Sequence, residues 1–249
     1  MSKKHIREHW NIDALAYQKR HKLSTDHVHY GPNCPTEEDL NLLGDVQHKK
    51  IVELGCGGGQ CSIALSKRGA ICTGIDLSDE QIKYAKNLAK ENNVKVNFMQ
   101  GDIENLSMLE EKKFDIVFSA AAFDWVQNLD EVFKGAFQIL SEAGIFVFSM
   151  GHPFYTRLGE DINPDDLKIK LSYFQRIIQC KDDITGITIN SIMPTISDII
   201  NSLINTGFVI EKIVEPEPVE EKFGTYTDYF PVEISKMVPA TIIIKVKKL

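Results

Sequence analysis

The chain has 249 residues, of which 43% are hydrophobic, 25% charged and 9% aromatic, a composition typical of a folded globular protein. Its net charge of −7 disfavours a nucleic-acid partner, because proteins that bind a phosphate backbone usually carry a basic patch. Five cysteines without a C-x-x-C pair disfavour a zinc site or a disulfide framework and favour a reducing compartment. No apolar run reaches membrane-spanning length, so we expect a cytoplasmic protein with no membrane partner.

The first 48 residues predict a helical cap. Residues 8–20 place Trp10, Ala14 and Tyr17 at helical spacing, which indicates a helix that either packs on the main domain or closes over a ligand. Residues 26–32 are rich in turn formers and contain His27 and His29. No nearby residue completes a coordination set around these histidines, so we expect no metal. A short helix is predicted to start at Thr36.

From residue 51 onward, strands alternate with helices. Strands are predicted at 51–54, 71–77, 94–99, 114–118 and 144–150, and helices at 60–67, 79–92 and 129–140. After a break at 151–190, a helix capped by Thr195 and ended by Gly207 precedes strands at 208–214 and 240–246. We expect an α/β fold with a Rossmann-like, seven-stranded, mostly parallel sheet, helices on both faces and an antiparallel last strand.

No linker divides the chain, so we expect a single domain over residues 1–249. It comprises the cap at 1–48, a core at 49–150, an insertion at 151–192 and the rest of the sheet at 193–249. Ligands of such sheets bind at the carboxyl ends of the strands, and the insertion follows one of these ends. We therefore expect the insertion to form part of a substrate pocket.

The most informative stretch is residues 51–60, where an apolar run with Glu53 leads into four glycines in five residues. Two cofactor classes use such a turn, followed about 20 residues later by an acidic residue that holds ribose hydroxyls. The dinucleotide pattern G-x-G-x-x-G fails because its last position is Gln60. The spacing instead resembles motif I (acidic-x-G-x-G-x-G) of the class I S-adenosylmethionine-dependent methyltransferases.

Landmarks further along the chain extend this resemblance in the same order. Asp76 closes the second strand, Asp102 closes the third, residues 114–117 form the fourth, and residues 140–144 precede the fifth. The N-terminal helix, the HYGP sequence at 29–32 and the stretch 206–216 are similar to the broad methyltransferase-11 type. A sulfonium nucleoside without phosphates needs acceptors and carboxylates around it, and these landmarks supply them.

The resemblance implies a cofactor site for S-adenosylmethionine, which leaves as S-adenosylhomocysteine. Asp76 would bind the ribose hydroxyls, Leu77 would pack on the adenine, and Asp102 with Ile103 would contact the adenine. The backbone at 55–59, together with Ser119, would surround the methionine part. The full set of expected cofactor-binding residues is Glu53, Gly55, Cys56, Gly57, Gly59, Asp76, Leu77, Gln81, Asp102, Ile103 and Ser119.

The acceptor side is less defined. Residues 119–122 read Ser-Ala-Ala-Ala where methyltransferases of base amines or glutamine amides resemble one another in an Asn/Asp-Pro-Pro-Tyr-type sequence, so such an acceptor is disfavoured. If the acceptor carries a proton, a base is needed, and the candidates are His152, Asp124 and His29. His152 is preferred because it follows the carboxyl end of the fifth strand. Tyr17 resembles a cap tyrosine placed over the methionine end of the cofactor.

We therefore expect an enzyme that transfers a methyl group to an O, N, C or S atom of a small-molecule metabolite. Two alternatives remain open: a protein that binds the cofactor without transferring methyl, and a nicotinamide-dependent oxidoreductase. The sequence does not indicate the acceptor or the oligomeric state.

Overall fold

The structure is a computed structural model that describes residues 3–109, 111, 113–159, 164–181, 185–219 and 230–249. Nine strands lie in the described ranges: β1 Lys50–Leu54, β2 Ile71–Asp76, β3 Asn97–Gln100, β4 Phe114–Ala120, β5 Leu140–Gly151, β6 Ile177–Lys181, β7 Thr188–Ile192, β8 Val209–Val214 and β9 Thr241–Lys247. The α-helices there are α1 Lys3–His21, α2 Glu37–Leu40, α3 Gln60–Lys67, α4 Asp79–Glu91, α5 Leu129–Ile139, α6 Ile196–Thr206 and α7 Val232–Ser235. Within these ranges no helix is both long and apolar enough to cross a membrane.

Seven strands form one sheet in the order β3-β2-β1-β4-β5-β9-β8. The strands from β3 to β5 pair in parallel, whereas β9 runs antiparallel to both β5 and β8. The predicted Rossmann-like, mostly parallel sheet with an antiparallel last strand is therefore confirmed. The strand order reverses between β1 and β4, and the crevice at such a reversal is the usual ligand site of open α/β sheets.

Apolar side chains cover both faces of the sheet. Alternation along β1 sends Val52 and Leu54 into one core cluster and Ile51 into the other. The larger cluster contains four phenylalanine rings from β5, α5 and the turn after β4, with ring centroids 4.9 to 6.2 Å apart. Burying each such ring contributes on the order of 2 kcal/mol, so the strand ends rest on a rigid base.

The predicted caps of α6 are confirmed. Thr195 and Asp198 form a capping box at its start, and Gly207 ends the helix with φ of 104°. At the start of α4, the Ser78 hydroxyl accepts the Gln81 amide. The side-chain oxygen of Gln81 accepts a hydrogen bond from Gln18 of α1.

Several element boundaries differ from the predicted ones. Helix α1 spans 19 residues and begins before residue 8. Strand β3 starts at Asn97 rather than Val94, because the Val94 amide still donates to Ala89 at the end of α4. Strand β5 starts at Leu140, which the pattern assigned to the preceding helix.

The insertion after β5 contains a β-hairpin that was not predicted, formed by β6 and β7. Helix α7 lies in the predicted connection at 215–239. Residues 220–229 of that connection lie outside the described residues.

Candidate active site

A cavity lies at the carboxyl ends of β1, β2 and β4, and α1 forms one of its walls. Its empty volume is about 1010 Å³, which includes solvent at the open mouth. The sheet side of the cavity includes Glu53, the glycine turn, Asp76, Leu77, Asp102 and Ile103. The cap side includes Lys3, Ile6, Trp10, Tyr17, Gln18, Leu23 and His29.

The glycine turn after β1 brings backbone to the cavity surface. Gly57 has φ of +50° and no atom within 4 Å of where a Cβ would lie, so its backbone is open to a ligand. Its amide donates to a carboxylate oxygen of Asp76 at 2.8 Å. Gly59 serves a different purpose, because a Cβ there would meet the ring of Phe98 at 2.5 Å. Gly57 therefore faces the ligand, while Gly59 permits packing beneath the turn.

Asp76 ends β2 and is held by backbone on two sides. Its carboxylate accepts the amides of Gly57 and Ser78, each at 2.8 Å. Burial raises the pKa of Asp76, while these N–H groups oppose the rise by stabilising the ionised form. Leu77 and Gln81 border the cavity beside it. A fixed carboxylate next to an apolar side chain suits a ribose with its attached base.

Glu53 lies beneath the glycine turn. Its carboxylate accepts both the amide and the hydroxyl of Ser62 on α3, which ties β1 to that helix. Burial raises the pKa of Glu53 to about 8, against the opposing effect of the Ser62 hydrogen bonds. A pKa in this range favours the protonated form of Glu53 at neutral pH.

Ion pairs hold α1 against the strand ends. Lys3 lies 2.5 Å from Asp102 and 3.5 Å from Glu104, and Arg7 lies 2.6 Å from Asp79. Partial burial lowers the pKa of Lys3, but the hydrogen bond and charge of Asp102 outweigh it, so the net shift is upward. Helix α1 thus closes the side of the cavity where β3 ends.

Three buried glutamines join α1 to α3 and α4. The Gln60 amide nitrogen donates to Gln18, and the Gln18 nitrogen donates to Gln81 at 2.9 Å. The side-chain nitrogen of Gln18 also lies 2.5 Å from the position that a Cβ on Gly58 would take. Helix α1 therefore rests directly on the glycine turn, and this contact requires glycine at position 58.

Aromatic rings from α1 and from the turn after β4 form another part of the cavity wall. The Trp10 ring lies 5.3 Å from that of Tyr17 and 5.1 Å from that of Trp125, nearly perpendicular to both. Behind them, His9 stacks on Trp125 at 5.5 Å and pairs with Thr185 of the insertion at 3.1 Å. This wall offers flat apolar surfaces to a ligand.

Eleven of the residues expected at the site line the cavity: Tyr17, His29, Glu53, Gly55, Cys56, Gly57, Asp76, Leu77, Gln81, Asp102 and Ile103. Four others do not. Gly59 lies under the turn, and the buried Ser119 hydroxyl donates to the Leu54 carbonyl at 2.7 Å. Asp124 is half-buried and accepts the Gly151 amide at 3.2 Å, and desolvation raises its pKa to about 6.

His152 is the fourth residue outside the cavity. Its Nε2 lies 2.9 Å from Glu215, and its Nδ1 accepts the Phe154 amide at 3.1 Å. Both ring nitrogens are therefore engaged away from the cavity. The described residues of the insertion do not line it either. The hairpin instead supports the aromatic wall, with Ser191 donating to the Asp124 carbonyl at 3.0 Å.

Lys3, Gln18, Gln60, Cys61 and Glu104 line the cavity but were not among the expected site residues. Gln60 was considered only as a departure from the dinucleotide pattern. Gln18 lies next to Tyr17 on a helix whose buried face also contains His9, Asp13 and His21. Because these buried residues are polar, the spacing of apolar residues does not reveal the buried face of α1.

The charges around the cavity fit a sulfonium nucleoside better than a pyrophosphate. Four carboxylate residues border it, Glu53, Asp76, Asp102 and Glu104, whereas Lys3 is the single cationic side chain among the described lining residues. Lys3 is already paired with Asp102. The glycine turn therefore has no cation of the kind that holds phosphates.

Comparisons with known proteins agree with this geometry. The family model of the methyltransferase-11 type, described as a methyltransferase domain, matches residues 52–148. An uncharacterised protein of Haemophilus influenzae is 30% identical over 187 residues, which cover 71% of this chain and 74% of that protein. A ubiquinone biosynthesis O-methyltransferase of Coxiella burnetii is 34% identical over 113 residues, 45% of this chain and 46% of that enzyme. The match therefore spans just under half the length of that enzyme.

Solved structures show the same fold. A structure from Listeria monocytogenes, assigned to the S-adenosylmethionine-dependent methyltransferases, superposes with a TM-score of 0.67 at 26% identity and covers 86% of this chain and 97% of that one. A second, from Mesorhizobium loti, gives 0.68 at 24% identity and covers 84% and 95%. The glycine turn, the acids at the strand ends and these similarities establish the family. The chain belongs to the class I S-adenosylmethionine-dependent methyltransferases of the methyltransferase-11 type.

Proposed function

We propose that this methyltransferase acts on a small-molecule acceptor and that the methylated atom is a hydroxyl oxygen. The observation that carries the proposal is the position of α1, which forms one wall of the cavity and contributes Trp10 and Tyr17 to its lining. A cavity walled in this way suits a small flat molecule rather than a polymer. The net charge of −7 also disfavours a nucleic acid.

The choice of oxygen is supported by the relatives. Named relatives at 34% identity are O-methyltransferases of ubiquinone biosynthesis, although the match covers only 45% of this chain. Around the aromatic wall, the cavity offers neutral groups: Tyr17, Gln18, His29 and Gln60. An uncharged hydroxyl compound can enter such surroundings without losing the hydration of a charge.

The residues of the chain would bind and orient the two reactants. Asp76 would hold the ribose hydroxyls of S-adenosylmethionine, Asp102 and Ile103 would contact the adenine, and the open backbone at Gly57 would lie along the methionine part. The sulfonium supplies an activated methyl group. The remaining task of the protein is to exclude water and align the acceptor, which can account for several orders of magnitude in rate.

The cofactor roles can be tested by calorimetry with S-adenosylhomocysteine. Asp76→Ala should reduce its affinity at least about 100-fold, because a buried acceptor of two hydroxyl groups is lost. Asp76→Asn keeps one acceptor for the Gly57 amide and should lose less. Asp115→Asn is the matched control, because Asp115 accepts the Lys50 amide at the start of β4, away from the cavity. Equal affinity in Asp76→Ala and wild type would contradict the assignment.

Turnover requires a second measurement. Wild-type protein incubated with methyl-labelled S-adenosylmethionine and fractionated metabolite extract should label a small compound that alkaline hydrolysis does not demethylate, as expected for an ether. Tight binding of S-adenosylhomocysteine with no labelled product would indicate a binding protein instead. Binding of NADH in place of S-adenosylhomocysteine would indicate an oxidoreductase.

A further inference from the structure

Among the described residues, His29 is the histidine that lines the cavity. It lies between α1 and α2 on the cap side, and Tyr17, Gln18, Gln60 and Cys61 also line this cavity. His152, the base preferred on sequence grounds, has both ring nitrogens engaged outside the cavity. A ligand in the cavity would therefore border His29, whereas it would not border His152.

The backbone around His29 is held firmly. The Glu37 amide donates to the Val28 carbonyl at 2.9 Å, and the Tyr30 hydroxyl donates to the Glu37 carboxylate at 2.5 Å. On the other side, the Cys61 thiol donates to the carbonyl of His29 at 3.7 Å. Both flanking residues, Val28 and Tyr30, are fully buried. The backbone that carries the imidazole is therefore fixed before any ligand arrives, which favours a binding or catalytic role.

The imidazole of His29 makes no hydrogen bond to the described part of the chain. Its Nδ1 is buried and has no partner there. An unpaired polar group at a protein interior costs roughly 1 to 3 kcal/mol, so such groups usually have a partner in the working state. Burial lowers the pKa of His29 to about 4, which keeps the ring neutral and one nitrogen lone pair available at physiological pH.

The four acidic residues among the described lining residues are all engaged elsewhere. Asp76 accepts two backbone amides, and Glu53 accepts two hydrogen bonds from Ser62. Asp102 pairs with Lys3, and Glu104 accepts the Gln127 amide at 2.9 Å. These carboxylates also lie at the strand ends, where the nucleoside is expected. His29 lies on the cap side.

We propose that His29 binds the methyl acceptor directly and takes its proton. The acceptor then belongs to the class of compounds whose attacking atom is a hydroxyl oxygen. This inference rests on the proposed function. The hydroxyl donates its hydrogen bond to the free imidazole nitrogen. A lone pair of the oxygen attacks the methyl carbon, the O–C bond forms, and the C–S bond breaks with its electron pair left on sulfur. The proton of the hydroxyl passes to His29, which returns it to solvent.

The weak basicity of His29 suits this order of events. A strong base is not needed before attack, because the hydroxyl proton becomes strongly acidic as the O–C bond forms and places positive charge on the oxygen. Tertiary amines and thioethers have no proton to give and would leave the imidazole unpaired. The proposal therefore excludes them as acceptors.

The test compares variants on the extract fraction that the wild-type enzyme methylates, with methyl-labelled S-adenosylmethionine as the donor. His29→Ala should lower kcat about 100-fold or more and leave the affinity for S-adenosylhomocysteine within about twofold. His29→Gln should recover the KM for the acceptor but not kcat, because an amide can form a hydrogen bond but cannot take the proton. Added imidazole should partly restore turnover by His29→Ala, which a purely structural role would not allow.

His48→Asn serves as the matched control, since His48 is exposed and has φ of 63°, which asparagine tolerates. It should retain wild-type turnover. Full turnover by His29→Ala would overturn the proposal, and so would an equal loss of cofactor affinity and turnover. If the wild-type protein binds S-adenosylhomocysteine but labels nothing, the proposed function fails before the role of His29 is reached.

Discussion

The two sides of the cavity are built in different ways. The sheet side is backbone and short turns: the Gly57 amide, the Ser78 amide and the carboxylate of Asp76 all lie within residues 57–78. The cap side is made by side chains from distant parts of the chain, such as Trp10 against Trp125 and Lys3 against Asp102. We therefore expect the sheet side to tolerate fewer substitutions than the cap side.

The largest effect is expected from Gly55→Ala on the sheet side. A Cβ at this position would lie 2.3 Å from the Cβ of Ala122, and Gly55 has φ of +72°. Left-handed backbone and overpacking together should cost about 3 kcal/mol of the free energy of unfolding, measured in urea. The affinity for S-adenosylhomocysteine should fall with it. The double variant Gly55→Ala/Ala122→Gly should recover about half of the stability, and no recovery would mean that the close approach to Ala122 is not the cause.

An intermediate effect is expected from pH, acting through Glu53. The positive charges of S-adenosylmethionine favour the ionised carboxylate, so binding lowers the raised pKa of Glu53 and releases a proton. Affinity should therefore increase between pH 6 and 8, by up to about tenfold per pH unit. Calorimetry in two buffers with different ionisation enthalpies measures the released proton. Glu53→Gln should bind without this pH dependence, and the same slope in the variant would assign the proton to another group.

The smallest effect is expected from the ion pairs of the cap. The side chains of Lys3 and Arg7 are 40% and 45% exposed, so each pair is weak and screened by salt. Lys3→Ala/Arg7→Ala should speed the release of S-adenosylhomocysteine only about two- to threefold, measured by stopped flow. Wild type should approach the variant at high ionic strength. A 100-fold change would show that the cap side is as rigid as the sheet side.

The same contrast explains what the sequence could predict. Motif I places Glu53, Gly55 and Gly57 within five residues, and a local pattern of this kind predicts both the strand and the turn. The cap depends on pairs such as Gln18 with Gln81, in which neither residue has a spacing that reveals the other. His152 was preferred as a base because it follows the correct strand end, but the sequence cannot show that Glu215 engages its ring. The hairpin behind Trp125 was missed for a similar reason, since its pairing is set by tertiary packing.

The glutamine contact also bears on how the protein folds. Gln18 bonds to Gln60 and Gln81, which are 42 and 63 residues further along the chain. Such distant contacts are slow to form, and this one needs α3 and α4 already packed on the sheet. Helix α1 should therefore dock late in folding and detach first, while the sheet stays intact. In this way the enzyme could open for exchange of its ligands by a partial reversal of its own folding.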